Sequence, residues 1–199
     1  MTAEFVVDPD TLLMLRVREG DPCSFELLLH RHRATVVNHL YRMVHNRAIA
    51  EELAQDVFVR IFRSRERYQP NAKFTTWMFR ITTNVALNWR RDSRRQTAEM
   101  HVDQLSTCAR AFEFRDDGLR MDELMIRQTK AEEVRAAVDA LPGKQLAAVL
   151  MHKYEGMDYS EIADVLGCSV PALKSVLFRA YESLRRRLAH LDPFVEAHR

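Results

Sequence analysis

The sequence predicts an all-α protein: two small helical domains joined by a flexible linker. Three observations carry that reading. Glycine and proline are scarce, five and six in 199 residues. Ala, Leu, Arg, Glu and Met, all good helix formers, dominate the chain. Apolar residues recur at helical spacing, and no alternating run marks a strand. The length suffices for one or two domains with a real core. The first domain is placed at 8–95 and the second at 129–191, around a polar segment, 96–128, without strong periodicity. No internal repeat is visible.

Taken in order, Thr11 to Gly20 forms an opening helix, closed by Gly20-Asp21-Pro22. Ser24 to His45 carries Phe25, Leu28, Leu29, Val36, Val37, Leu40 and Val44 at helical spacing. Asn46 can cap the next helix, Ala48 to Arg65. There Ile49, Leu53, Val57 and Ile61 recur every fourth residue, with Phe58 and Phe62 beside them, and form a core stripe. Glu51, Glu52, Gln55, Asp56 and Arg60 lie outside it, as a docking surface or simply a solvated face. Tyr68 to Phe74 reads as a loop. Thr75 or Thr76 starts a long helix to Arg95, with Trp77, Met78, Ile81, Val85 and Trp89 inward. The linker holds at most a partial helix, and the second block breaks at Leu141-Pro142-Gly143.

The stretch from Asp158 to Arg179 carries the most information. Asp158 and Glu161 have capping-box spacing, and Ile162, Ala163 and Leu166 form an inward stripe. Gly167 sits where the chain must turn through a conformation costly for a residue with a Cβ. Ser169 can cap a following helix whose first turn tolerates Pro171. Val170, Leu173 and Leu177 then face the first helix and leave Lys174, Ser175, Phe178 and Arg179 outward. This is the grammar of a helix-turn-helix, whose second helix suits the major groove of DNA.

Net charge is only +2, but its distribution is uneven. Five arginines stand against Asp92 between Arg80 and Arg95, and five cations against Glu182 between Lys174 and His190. Between Glu99 and Glu133 nine acidic residues outweigh five basic ones. Two basic segments around an acidic one point to nucleic acid more specifically than net charge does. In the long helix Arg80, Asn84, Leu87, Arg91 and Arg94 share the face opposite the core stripe. Arginine grips phosphate and an amide can bond a base edge, so this face suits a nucleic-acid strand, or else is a solvated basic helix end.

Cys23, Cys108 and Cys168 are far apart and odd in number, which fits a reducing cytosol rather than a disulfide framework, and no run reaches membrane-span length. The expected location is cytoplasmic. His30 and His32 fall on different helix faces, and His39 and His45 are dispersed, so no metal is expected. Without a Walker loop, dinucleotide fingerprint or nucleophile elbow, neither an enzyme nor a cofactor is expected.

The order of parts resembles bacterial sigma factors, in the short two-domain form of the extracytoplasmic-function (ECF) group of the sigma-70 family. The resemblance rests on Ala50-Glu-Glu-Leu-Ala-Gln-Asp-Val-Phe-Val-Arg-Ile-Phe62, on Phe74 to Arg91, on Leu141-Pro142 and on Tyr159-Ser-Glu-Ile-Ala163. It implies that Glu52, Gln55 and Asp56 dock on the clamp helices of the polymerase β′ subunit. It also implies that the loop from Tyr68 to Thr75, with Tyr68 and Phe74, captures a flipped base of the −10 element. Arg80 and Asn84 would then face the non-template strand, and Arg90 and Arg91 would grip its backbone. The second domain would read the −35 element through Lys174, Ser175, Phe178 and Arg179 and rest on the β flap. The acidic linker would thread the RNA exit path. In the free chain the two basic faces would be covered, against each other or by an anti-sigma partner.

The sequence departs from the family pattern at Pro171-Ala172, where many members have Gly-Thr, and at Val176, where a basic residue is usual. The −35 preference is therefore expected to lean more on DNA shape. Two rival readings remain at this point. One is a conventional helix-turn-helix regulator that binds duplex operators without polymerase, and the other is an anti-sigma-like interaction module.

Overall fold

The computed structural model describes residues 8–100 and 121–191, with side chains described for 8–96 and 128–191. Among these there are α-helices and short 3-10 turns and no strand. The helices are α1 (Pro9–Arg18), α2 (Pro22–Val44), α3 (Arg47–Arg63), α4 (Phe74–Met100), α5 (Met121–Asp139), α6 (Gly143–Tyr154), α7 (Tyr159–Leu166) and α8 (Val170–Leu188). The expected linker is thus helical at both of its ends, and Cys108 and its surroundings fall outside the described residues. No helix among the described residues is long and apolar enough to cross a membrane.

Local chemistry sets most boundaries. The Asp21 carboxylate accepts from the Cys23 amide at 3.0 Å, with Pro22 in the first turn of α2. The α2 helix ends at His45 in the left-handed region, φ 53°, and Asn46 caps α3 by accepting from the Ile49 amide at 3.3 Å. The capping box at α7 is complete: Asp158 Oδ1 accepts from Glu161 N at 2.8 Å, and Asp158 N donates to Glu161 Oε2 at 3.0 Å. Gly167 has φ +63°, the left-handed exit that a Cβ would strain. Ser169 then caps α8 by accepting from the Ala172 amide at 3.4 Å.

In the first half α2 packs against α3, α1 and α4 around Leu28, Val36, Leu40, Val57, Ile61, Met78 and Val85. In the second, α6 packs against α8 and α7 around Leu146, Ile162, Leu173 and Leu177. The halves are not apart. Helix α4 also packs on α6 and α7, and α2 on α6, so the buried side chains of both halves run into one core.

Helix α6 shows why. Leu146, Ala147, Ala148, Val149, Leu150 and Met151 are all buried in succession. A helix apolar all round needs neighbours on every side, and here the second half supplies some and the first half the rest.

Candidate nucleic-acid and polymerase interfaces

The loop between α3 and α4 is built from its base. Tyr68 is 1% exposed and Phe74 0%, so neither ring is offered to solvent. Their rings stand edge-on 6.4 Å apart, and Trp77 lies 5.0 Å from Tyr68 and 6.1 Å from Phe74. Burial pushes the Tyr68 hydroxyl above its ordinary pKa, a push that its hydrogen bond to Thr11 opposes. Both residues therefore depart from the expectation of exposed base-capture aromatics: packing inside the first half makes them the floor of the loop. What the loop presents is a polar cleft of about 370 Å3, lined by Arg67, Gln69, Asn71, Ala72, Thr76, Trp77 and Arg80. Asn71 donates to Gln69 Oε1 at 3.1 Å, which holds the loop's two amides together.

Along α4, Arg80, Asn84 and Arg91 are exposed, as the helical spacing requires. A second cleft, about 520 Å3, brings Asn84 together with Arg60, Arg63, Arg67, Ser64, Glu66 and Ile81. Three arginines converge there on an amide that can read a base edge.

Arg90 is a correction. Its guanidinium donates to Met43 O at 2.6 Å and to Asp139 O at 3.2 Å, so it is half-buried and ties α2 to the end of α5. Burial first, and then the charge of Arg94, lowers its pKa, while Asp139 raises it. A guanidinium stays protonated regardless. Leu87, expected on the open face, is half-buried: a Cβ placed on Gly143 would lie 2.8 Å from its Cδ2.

The second half closes over this side of α4. Lys73 Nζ bonds Glu161 Oε1 at 2.9 Å, and that hydrogen bond raises the Lys73 pKa. Asp164, on the same α7, lines the loop cleft with Arg67 and Arg80. At the far end Glu155 Oε1 meets His39 Nδ1 at 3.3 Å and Arg42 Nη1 at 3.4 Å, and Arg42 lies over the Tyr154 ring at 4.4 Å. His45 lies in close contact with the Asp139 carboxylate without the direction of a hydrogen bond. Among the described residues five buried polar atoms have no hydrogen-bond partner within the protein: the two of this contact, His45 Nε2 and Asp139 Oδ1, with His39 Nε2, Arg90 Nε and Thr83 Oγ1.

The outer face of α8 stays open. Lys174, Ser175 and Arg179 are exposed and Phe178 is 68% exposed. Ser175 Oγ donates to Pro171 O at 3.2 Å, and Arg179 Nε donates to Ser175 O at 3.2 Å. This face offers a cation, a hydroxyl, a guanidinium and an apolar ring able to touch a thymine methyl.

On α3, Glu52 and Gln55 are exposed, while Asp56 is half-buried and pairs with Arg60 at 2.9 Å. Sequence reasoning missed what lies beside them. An apolar groove of about 380 Å3 is lined by Phe25, Leu29, Ala54, Phe58, Val59 and Phe62, with Arg33, Glu51, Gln55 and Arg63 on its rim. Val59 is 45% exposed and Phe62 41%. The signal was present: the apolar arc of α3 is too wide for one core stripe. Among the described residues no group of His, Cys, Asp and Glu could hold a metal ion.

Comparison with known proteins assigns both halves. The Sigma-70 region 2 family matches residues 28–96 and the Sigma-70, region 4 family matches residues 131–192. The RNA polymerase sigma factor CarQ of Myxococcus xanthus is 35% identical over 184 residues, which is 90% of this chain and 97% of that protein. The RNA polymerase sigma-H factor of Pseudomonas aeruginosa is 28% identical over 189 residues, 92% and 96% of the two chains. The ECF RNA polymerase sigma-E factor of Escherichia coli K12 is 26% identical over 187 residues, 92% and 95%. Among solved structures, CnrH in complex with the cytosolic domain of CnrY is similar with a TM-score of 0.64 at 21% identity, over 92% of this chain and 99% of that one. RpoE in complex with the anti-sigma factor NepR, from Bartonella quintana, is similar with a TM-score of 0.63 at 18% identity, over 83% and 96%. These two likenesses establish the fold.

Proposed function

We infer the function from one premise: the chain belongs to the sigma-70 family, as an ECF sigma factor. It directs RNA polymerase core to specific promoters and aids their melting, while the chemistry of transcription stays with the polymerase. The observation that carries this reading is the order of a region 2 match and a region 4 match along one chain, each with an exposed cationic face. A conventional regulator would need no region 2, and the match there sets that reading aside.

The finer assignments are our own. The segment 8–95 serves as the core-binding and −10 domain, 129–191 as the −35 domain, and 96–128 as their link. The groove beside Glu52, Gln55 and Asp56 receives a helical element of the core enzyme, the clamp helices of β′. Its apolar floor supplies burial and the carboxylates supply orientation. Arg80, Asn84 and Arg91 follow the non-template strand of the −10 element, with Tyr68 and Phe74 as the packed floor under the reading loop. Lys174, Ser175, Phe178 and Arg179 read the −35 element, and the second domain rests on the β flap. The protein works in the cytoplasm, where the polymerase is.

The closed arrangement is a holding form. With α7 seated on the loop side of α4, the carboxylates of Glu161 and Asp164 occupy ground that a DNA phosphate would need. The halves must separate for promoter opening. Each of the two structural relatives was captured with a protein partner, one of them an anti-sigma factor. The same kind of partner would hold this chain closed.

The direct experiment is run-off transcription with purified bacterial core polymerase and a library of promoter fragments, with and without this protein. Specific starts that depend on the protein are expected, and their alignment gives both promoter elements. Absence of any dependent start, together with tight duplex binding in the absence of polymerase, would return the reading to an operator-binding regulator.

A further inference from the structure

We propose that Thr11 is a positioning residue for −10 recognition, which makes α1 a working part of the promoter-reading apparatus; this rests on the functional reading above. Helix α1 lies before the segment that matches region 2, which begins at residue 28. Nothing in that match assigns it a role.

The argument starts from one oxygen. Thr11 is a polar residue only 4% exposed on an otherwise apolar face that buries Met14 and Val17. Its Oγ1 accepts from the Phe74 amide at 3.2 Å and from the Tyr68 hydroxyl at 3.4 Å. It also donates to Asp8 Oδ2 at 3.4 Å. A hydroxyl has one proton and two lone pairs, so all of its capacity is in use.

The two acceptor bonds reach the two ends of the reading loop. Phe74 is also the first residue of α4, and its amide is one of the four donors that a helix N-terminus leaves without an internal partner. Thr11 therefore caps α4 from another helix. It fixes where the loop ends and where the helix carrying Arg80 and Asn84 begins. A second tie from α1 confirms the direction of the constraint: Arg18 Nη1 donates to Tyr68 O at 3.3 Å. Between these anchors lie residues 69–73, of which Gln69, Asn71 and Ala72 line the cleft.

The hydroxyl is not what holds α1 in place, since Met14 and Val17 are fully buried and do that by packing. Removing the oxygen alone should keep the fold and loosen the loop. Thr11→Val has nearly the same volume but cannot accept, and strands a buried amide and a buried phenol. Thr11→Ser keeps the oxygen.

The test uses the full chain with core polymerase on a promoter that it recognises and on versions substituted one base at a time in the −10 element. For Thr11→Val the expected result is intact core binding and −35 duplex binding. Promoter opening, read by permanganate reactivity of unpaired thymines, should fall on the order of tenfold, the factor that follows from stranding a buried donor. Discrimination among −10 bases should flatten, and Thr11→Ser should restore both. Thr11→Val that opens and discriminates like the wild type, measured below its melting temperature, would overturn the proposal. So would a Thr11→Val defect that Thr11→Ser shares, or one that removes core binding as well, because either marks a general loss of fold. Failure of the wild-type protein to direct any start would instead bring down the functional reading, and this role with it.

Discussion

Replacing Phe74 with alanine separates a floor residue from a DNA contact. The ring is fully buried, with His32 5.5 Å away and Tyr68 and Trp77 packed against it. Truncating a buried aromatic of this kind costs about 3–5 kcal/mol, from lost transfer free energy and the cavity left behind. A whole domain is stable by only about 5–15 kcal/mol. For a chain of this size each kcal/mol moves the melting midpoint by about 2–4 °C, so Phe74→Ala should melt roughly 6–20 °C lower. The assay is thermal unfolding followed by circular dichroism, beside Arg80→Ala. Arg80 is exposed, so its variant should keep the midpoint within about a degree, as surface changes do, and lose promoter opening instead. A Phe74→Ala protein that melts like the wild type yet cannot open a promoter would refute the reasoning. The ring would then be reaching the DNA, and the burial described above would not be the form that acts.

Asp158→Ala should cost about 0.5–2 kcal/mol as a lost helix cap, while Asp158→Asn keeps most of it; urea unfolding reads both. The hydrogen bond from the Glu161 amide, aided by Ser160, holds the Asp158 carboxyl below its ordinary 3.8. Its folded pKa is depressed, so its contribution is complete above that ordinary value and is lost as the pH falls through the lowered one. Acid titration of Asp158→Asn should lack that component. A Cβ at Gly143 would meet only the flexible end of Leu87, so Gly143→Ala should be tolerated while Gly143→Leu, with a whole side chain to place there, should loosen the seam, visible as a larger radius of gyration by small-angle scattering with helix content unchanged. Asp164→Lys should weaken closure with a salt dependence that Gly143→Leu lacks, because only the former acts through charge.

What could be read from the sequence was what neighbouring residues decide. Asn46, Asp158, Glu161, Gly167 and Ser169 act on amides two or three positions away or on their own backbone, and each stands at the helix boundary expected of it. The alternation of core and exposed positions along α4 was legible at Arg80, Asn84 and Arg91 for the same reason. The burial of Tyr68 and Phe74 was not legible because they flank a loop with Pro70 and Asn71, which looks like open surface. Their burial comes from packing against residues distant along the chain or across the loop, His32 and Trp77 among them, and Thr11, 57 and 63 residues away, supplies their hydrogen-bond partner. The contacts of Arg90 were not legible because its acceptors are the carbonyls of Met43 and Asp139, which no local pattern announces. The closure itself had a legible sign, the unbroken apolar run Leu146 to Met151, which a small separate domain has no need to bury on every side.

The seam between the halves has a mixed character with an energetic consequence. Apolar packing of α6 and Leu87 draws the halves together, while His39 Nε2, His45 Nε2, Asp139 Oδ1 and Arg90 Nε have no hydrogen-bond partner from the protein within it. A buried polar atom without a partner costs about 1–3 kcal/mol, and that cost disappears once water reaches the atom. Separation therefore recovers hydration at the same spots where it gives up apolar contact. Closure is thus weaker than the apolar contact alone would make it. A partner that binds the closed and the separated arrangement unequally would shift the balance only by that difference in affinity, and each unpaired atom at the seam lowers the difference it must supply to favour separation.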